Sequence, residues 1–155
     1  MFKQLTVFIE NKPGRLEEVT RHLADENINL YALTIADTTD FGILRVIVSE
    51  PEKAEKILKE KNFMVRTSSV VAVPMDHRPG ALNKILQKLK NLDISIEYMY
   101  AYTSRHKDYD AIMILRLDDQ DLAVEKMKKS GITILGQELQ DNPNEAVSDI
   151  YECYL

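Results

Sequence analysis

The run Asn11-Lys12-Pro13-Gly14-Arg15-Leu16 returns 66 residues later as His77-Arg78-Pro79-Gly80-Ala81-Leu82. The same offset relates Val19 to Ile85, Leu23 to Leu89, Asn27-Ile28-Asn29-Leu30 to Asp93-Ile94-Ser95-Ile96, and Leu33 to Met99. The register then slips by three: Ile43 matches Ile112, Ala54 matches Ala123, Leu58 matches Met127, Phe63 matches Ile132 and Val65 matches Ile134. The slip falls in the polar stretch Thr103-Ser104-Arg105-His106-Lys107-Asp108, which reads as a longer hairpin loop in the second copy. A register held on both sides of one insertion marks an internal duplication, so the chain must build one supersecondary plan twice.

Each copy has the same pattern. Leu5, Val7 and Ile9 alternate with polar or mixed residues, a strand signal. Pro13 suits the first turn of a helix, where its missing N–H costs nothing. Leu16, Val19, Thr20 and Leu23 follow helical spacing, as do Leu82, Ile85, Leu86 and Leu89. Leu30 to Ala36 and Ile43 to Val48 read as strands across the turn Asp37-Thr38-Thr39-Asp40. A short helix starts near Pro51 with Ala54, Ile57 and Leu58 inward, and Phe63-Met64-Val65 is a last strand. The order β-α-β-β-α-β is the ferredoxin-like plan, two helices over one face of a four-stranded antiparallel sheet. The expected class is α+β, as two tandem domains at residues 1–67 and 68–137. An acidic segment, 138–155, follows.

With 155 residues the chain accommodates two domains of roughly 65 to 75 residues. Apolar residues are 45% and charged residues 29%, a soluble globular balance. No apolar run approaches the roughly 20 residues of a membrane helix. The N-terminal Met1-Phe2-Lys3-Gln4-Leu5 lacks a signal-peptide core, so a cytoplasmic protein with no membrane partner is expected. The single Cys153 excludes an intrachain disulfide framework. Net charge is −5, and the last 18 residues carry five acids (Glu138, Asp141, Glu145, Asp149, Glu152) and no Lys or Arg. The remainder balances at 20 basic and 20 acidic groups, so no basic face points to nucleic acid. Asn142 and Pro143 suit a helix start, and Ala146, Val147, Ile150, Tyr151 and Tyr154 follow helical spacing. A short C-terminal helix is therefore expected, docked on the chain's own sheet or on a partner.

A search for chemistry is mostly negative. His22, His77 and His106 lie in a helix, a strand-to-helix loop and the long hairpin. No metal-ligand spacing, nucleophile elbow or phosphate loop is present, so neither a metal nor a cofactor is expected. Carboxylates alternate with lysines, as in Glu52-Lys53-Ala54-Glu55-Lys56, which reads as a solvated helix face. Tyr98, Tyr100 and Tyr102 share one side of one strand. Such a row could stack bases, but on an edge strand of an acidic protein it reads as a packing surface. What remains is the loop after each first strand. A helix N-terminus offers unpaired N–H groups that attract a carboxylate, and Gly14 and Gly80 let a ligand approach the backbone.

The run Glu10-Asn11-Lys12-Pro13-Gly14-Arg15-Leu16, with Asn27-Ile28-Asn29-Leu30 after it, resembles the ACT-domain family, and the resemblance covers nearly the whole chain as two such domains. It implies a non-catalytic sensor that binds a free amino acid at domain interfaces and regulates an attached enzyme or one in trans. Carried over from serine-binding members, Asn11 and Asn29 match the two ligand-binding asparagines. Ile9 stands where those members carry a histidine. His77 replaces Asn11 and Ser95 replaces Asn29 in the second copy, so its site should differ or be silent. The implied ligand residues are Asn11, Lys12, Pro13, Gly14, Arg15, Leu16, Asn29 and Leu30. Their counterparts are His77, Arg78, Gly80, Ala81, Leu82, Ser95, Ile96 and Met99. Leu33 and Tyr98 join Leu30 and Met99 as candidates for side-chain choice.

A first helix about 14 residues long spans roughly 20 Å, so Asn11 and Asn29 are expected at opposite ends of one domain. One ligand reaches both if two domains pair antiparallel along their second strands. Within one chain that pairing asks four or five residues, at most ~18 Å of chain, to cross about 30 Å of sheet. Pairing between two chains, a homodimer, or an exchanged strand order is therefore expected. Two alternatives stand beside the sensor: an interaction module with no ligand, and a small acylphosphatase-like enzyme using Arg15 or Arg78.

Overall fold

In the computed structural model of the protein, the described residues are 1–37, 41–103, 109–137 and 140. The chain divides into two compact units, Lys3–Ser69 and a second made of Met1–Phe2 with Val70 onwards. The turn residues 38–40, the hairpin residues 104–108 and the expected C-terminal helix, with Cys153 and most of the acidic segment, lie outside the described residues.

The first unit contains β1 (Phe2–Glu10), α1 (Arg15–Asp25), β2 (Leu30–Asp37), β3 (Phe41–Val48), α2 (Pro51–Glu60) and the first half of β4 (Met64–Met75). Its strand order is β2-β3-β1-β4, with β1 and β2 both antiparallel to β3. Alternation sets the faces. Leu5, Val7, Ile9, Leu44, Val46 and Val48 point to the helices and meet Val19 and Leu23 of α1 and Ala54 and Leu58 of α2. Each fully buried leucine contributes roughly 1.5–3 kcal/mol.

The second unit takes the rest of β4, then α3 (Ala81–Asn91), β5 (Ile96–Thr103), β6 (Ala111–Leu117) and α4 (Gln120–Lys129). The order is β4-β6-β5, both pairings antiparallel. Val71, Val73, Met113, Leu115 and Leu117 form the helix-facing core with Leu89, Ala123 and Met127. Tyr98, Tyr100 and Tyr102 pair with Arg116, Ile114 and Ile112, so they lie on the opposite face and are half-buried there.

The duplication extends to local geometry. Each of α1 to α4 is followed by a left-handed residue, Asn27 (φ 58°), Asn62 (φ 64°), Asp93 (φ 54°) and Gly131 (φ 68°). The next amide reaches back to the last turn each time: Ile28 to Leu23, Phe63 to Leu58, Ile94 to Leu89 and Ile132 to Met127, at 2.9–3.1 Å. Such a reversal satisfies carbonyls that the helix end leaves without partners. The strand after each first helix also carries a bulge at equivalent places, one extra residue at Tyr31 and one at Glu97.

Three local expectations are corrected. Pro13 and Pro79 are not first-turn helical residues. The helices begin at Arg15 and Ala81, capped by Gly14 (φ 88°) and Gly80 (φ 85°). A left-handed residue cannot sit inside a right-handed helix, so each proline is left in the preceding turn. The last strand of the first copy also does not end at Val65: Arg66, Thr67, Ser68 and Ser69 continue it as one twelve-residue strand. Thr67 is β-branched, and its hydroxyl donates to the Glu55 carboxylate at 2.7 Å, which fixes it in the extended chain. Finally, residues 132–136 form no strand in the second unit. The Leu135 N–H bonds Ala72 O at 2.9 Å, but Pro74, two residues on, has no N–H with which to extend the ladder.

Candidate ligand site

In the first unit the loop after β1 borders a hollow of about 260 Å³ lined by Ile9, Glu10, Asn11, Lys12, Leu16, Ile35 and Gly42. Each element supplies a wall. Ile9 ends β1, residues 10–12 are the loop, Leu16 is in the first turn of α1, Ile35 comes from β2 and Gly42 from β3. Gly42 opposes Ile9 in the β1–β3 ladder, and a β-carbon there would project into the same space. Of the sequence-derived residues, Asn11, Lys12 and Leu16 line this hollow. Pro13, Gly14 and Arg15 form the turn above it, where the Arg15 N–H bonds Lys12 O at a long 3.3 Å.

Sequence reasoning missed Ile35 and Gly42. The signal was present: a glycine inside a strand pattern marks a close approach or an open space.

Two charged groups rim the hollow. Lys12 Nζ lies 3.0 Å from Glu10 Oε2. That hydrogen bond and the lysine charge hold the Glu10 carboxyl below the usual 4.5, with a lesser contribution from Arg15. The Arg15 guanidinium points elsewhere. It pairs with Glu18 at 2.5 Å and stacks over the Phe63 ring at 4.8 Å, while His22 meets that ring edge-on at 6.2 Å.

Asn29 stands at the other end of its unit. Its N–H bonds Ser49 Oγ at 3.1 Å and its carbonyl accepts from Ser49 N–H at 3.0 Å, just beyond the end of β3. Asn11 follows the strand end that pairs with Phe41, at the start of β3. The seven steps of β3 between these ends span about 23 Å. One small ligand therefore cannot touch Asn11 and Asn29 of the same unit. β2, which carries Leu30 at its start, is the last strand in its order, and Leu33 and Ile35 on its helix side are 50% and 49% exposed.

The second copy presents a different loop. The His77 N–H bonds Asp110 Oδ2 at 3.3 Å, and Arg78 pairs with Asp76 at 2.7 Å. Ala81 is buried and Leu82 half-buried. Met75 and Ala111 occupy the places of Ile9 and Gly42. Ser95 lines a small 80 Å³ pocket with Asp93, Asp118, Asp119 and Lys126, so carboxylates and an ammonium share its wall. Ile96 packs on the core, and Met99, in Leu33's place, is 41% exposed. Among the described residues, no group of His, Cys, Asp and Glu is arranged to hold a metal, and no helix is long and apolar enough to cross a membrane.

Comparison with known proteins agrees with this architecture. Residues 1–142 match the ACT domain pair family. Protein BT0572 from Bacteroides thetaiotaomicron, known from its crystal structure, is 44% identical, with 90% of this chain and 95% of that one covered at a TM-score of 0.82. The regulatory subunit of aspartate kinase from Thermus thermophilus, in ligand-free form, shares the fold at 14% identity and a TM-score of 0.57, over 82% of this chain and 91% of its own. The corresponding subunit from Thermus flavus does so at 12% and 0.51, over 82% and 90%. No curated protein gives a significant match. The duplicated plan, the two left-handed glycine caps and the match across residues 1–142 make this chain a member of the ACT domain pair family.

Proposed function

We propose that the chain is a non-catalytic regulatory protein that senses a free amino acid in its first copy. The observation that carries this reading is the 260 Å³ hollow beside Asn11, Lys12 and Leu16. It lies at a helix N-terminus, which favours a carboxylate, and its apolar floor of Ile9, Ile35 and Gly42 suits a small aliphatic side chain. In this reading the amides of Gly14 and Leu16, and that of Arg15 on giving up its long bond to Lys12 O, receive the ligand carboxylate, and the Asn11 side chain holds its ammonium group.

Asn29 then acts in trans. With about 23 Å between Asn11 and Asn29 in one unit, the second asparagine comes from another copy of the chain. The open edge of β2, with Leu33 and Ile35 uncovered, is where a second β2 would pair to give a homodimer. A ligand held by both copies binds the paired state more tightly than the separated one, so occupancy biases assembly. An enzyme regulated in trans would read that change.

Thermal unfolding of the pure protein against each of the twenty amino acids tests the reading. A ligand at 100 times its dissociation constant adds about 2.7 kcal/mol, a shift of several degrees. One riser is expected, lost in Asn11→Ala and Asn29→Ala. Full response in both variants would refute the site. A monomer by light scattering, with and without ligand, would refute the shared arrangement.

A further inference from the structure

The two copies differ where the first helix meets the end of the second. In the first copy Phe63 fills that place, with Arg15 over its ring at 4.8 Å, His22 on its edge at 6.2 Å and Glu18 bound to Arg15. At the equivalent positions the second copy has Ile132 for Phe63, Ala81 for Arg15, Lys88 for His22 and Lys84 for Glu18. Four substitutions remove a phenyl ring, an imidazole and a guanidinium from one spot and put two ammonium groups beside it.

The vacated space is a hollow of about 250 Å³, lined by Val73, Pro74, Lys84, Ile85, Lys88, Gly131, Ile132 and Thr133. Pro74 contributes by interrupting the ladder, so residues 132–136 do not close onto β4 as a strand. An apolar cavity of about 150 Å³ already accommodates benzene, so this one takes a ligand with a six- to eight-carbon body. Lys84 and Lys88 stand one helical turn apart on α3, at the mouth. Among the described residues, no carboxylate pairs with either lysine, whereas the first-copy helix carries Arg15–Glu18 and Arg21–Glu17 pairs.

We propose that this hollow is a second small-molecule site, taking an anionic head group, carboxylate or phosphate, on a short apolar body. The body lies against Val73, Ile85 and Ile132, and the head group reaches Lys84 and Lys88, whose exposed stems let the ammonium groups converge on it. The site is separate from the loop at Asn11 and does not depend on the amino acid bound there.

Amide-resolved NMR titration of the whole protein with hexanoate, hexyl phosphate, hexanol and inorganic phosphate tests the site. Hexanoate or hexyl phosphate should produce saturable shifts at Gly131, Ile132 and Thr133, the stronger of the two identifying the head group. Hexanol and inorganic phosphate should each bind at least tenfold more weakly. Lys84→Gln with Lys88→Gln should weaken the anion roughly tenfold, the sum of two partly exposed charge contacts. Ile132→Phe, which restores the ring of the first copy, should block it while leaving the response at Asn11 unchanged. Hexanol binding as well as hexanoate, or inorganic phosphate binding as well as hexyl phosphate, would overturn the proposal. So would undiminished binding in the folded Ile132→Phe variant.

Discussion

Gly42 of β3 lies directly across the ladder from Ile9 of β1, and a β-carbon at Gly42 would come within 3.2 Å of Ile9 Cγ1 and 3.5 Å of Ile35 Cδ1. The hollow next to the Asn11 loop therefore exists because this strand position has no side chain. Gly42→Val should fill it. The branched residue gains up to about 1 kcal/mol in a strand, while overpacking against Ile9 costs ~1–3 kcal/mol, so net stability should move by no more than about 2 kcal/mol. Amino-acid affinity should fall at least tenfold in the thermal-shift assay. Undiminished affinity would mean that the ligand side chain lies elsewhere.

The Arg15–Phe63 contact fixes what the first-copy helix does with its arginine. A guanidinium 4.8 Å above a ring is worth about 0.5–1 kcal/mol where it is partly exposed. A double-mutant cycle of Arg15→Gln and Phe63→Leu, read by chemical denaturation, should return a coupling energy of that size. Phe63→Leu alone should cost about 1–2 kcal/mol, because it opens in the first copy a smaller version of the cavity that Ile132 leaves in the second. A coupling of zero would show that the arginine is held by Glu18 alone.

The duplication, the element order short of the second copy's last strand, and the two glycine turns were legible in the sequence, because each follows from periodicity or from a residue whose backbone freedom is unusual. Asn27 and Asp93 mark left-handed helix ends that a residue-by-residue reading can find. Pro13 misled because its fixed φ suits a helix start equally well as a turn. The neighbour Gly14, at φ 88°, decided between them. The loop side of the 260 Å³ hollow was legible in Asn11, Lys12 and Leu16. Its floor was not, because Ile9, Ile35 and Gly42 come together only through the strand register, and pairing across β1, β3 and β2 is not written in any local pattern. The 250 Å³ hollow was hidden for a related reason: a phenylalanine and an isoleucine both read as core, and only the packing around them shows that one fills its place and the other does not.

The helix-terminating residues offer a stability test. Asn62 sits at φ 64°, where its counterpart in the second copy is Gly131 at φ 68°. Glycine pays no steric penalty there. Asn62→Gly should therefore leave stability unchanged or raise it by up to about 1 kcal/mol, and Asn62→Val should lower it by about 1–2 kcal/mol. Denaturation midpoints with unchanged slopes would attribute the effect to this one backbone conformation. If Val were tolerated without loss, the turn would have to leave the left-handed region, and the Phe63 N–H to Leu58 O bond of 2.9 Å would be lost with it.

Acid sensitivity should be traceable to Glu55. Its carboxylate accepts from Lys59 Nζ and from Thr67 Oγ1, both at 2.7 Å, and its side chain is 27% exposed. The Lys59 bond first, and the Thr67 bond second, hold its pKa below the ordinary 4.5. A carboxyl whose folded value is depressed binds its proton more readily in the unfolded chain. Its contribution is thus complete above about 4.5 and disappears as pH falls through the lower, folded value. Glu55→Gln should be less stable than the parent at pH 7, by no more than about 1 kcal/mol given the partial exposure, and the two should converge in acid as the carboxyl becomes protonated in the folded chain too. Thr67→Val should flatten part of the same pH dependence, since it removes one of the two donors but keeps the strand-forming branch. Urea midpoints measured from pH 7 to pH 3 read both effects, and a gap between parent and Glu55→Gln that stayed constant over that range would remove the ionised carboxylate from the account.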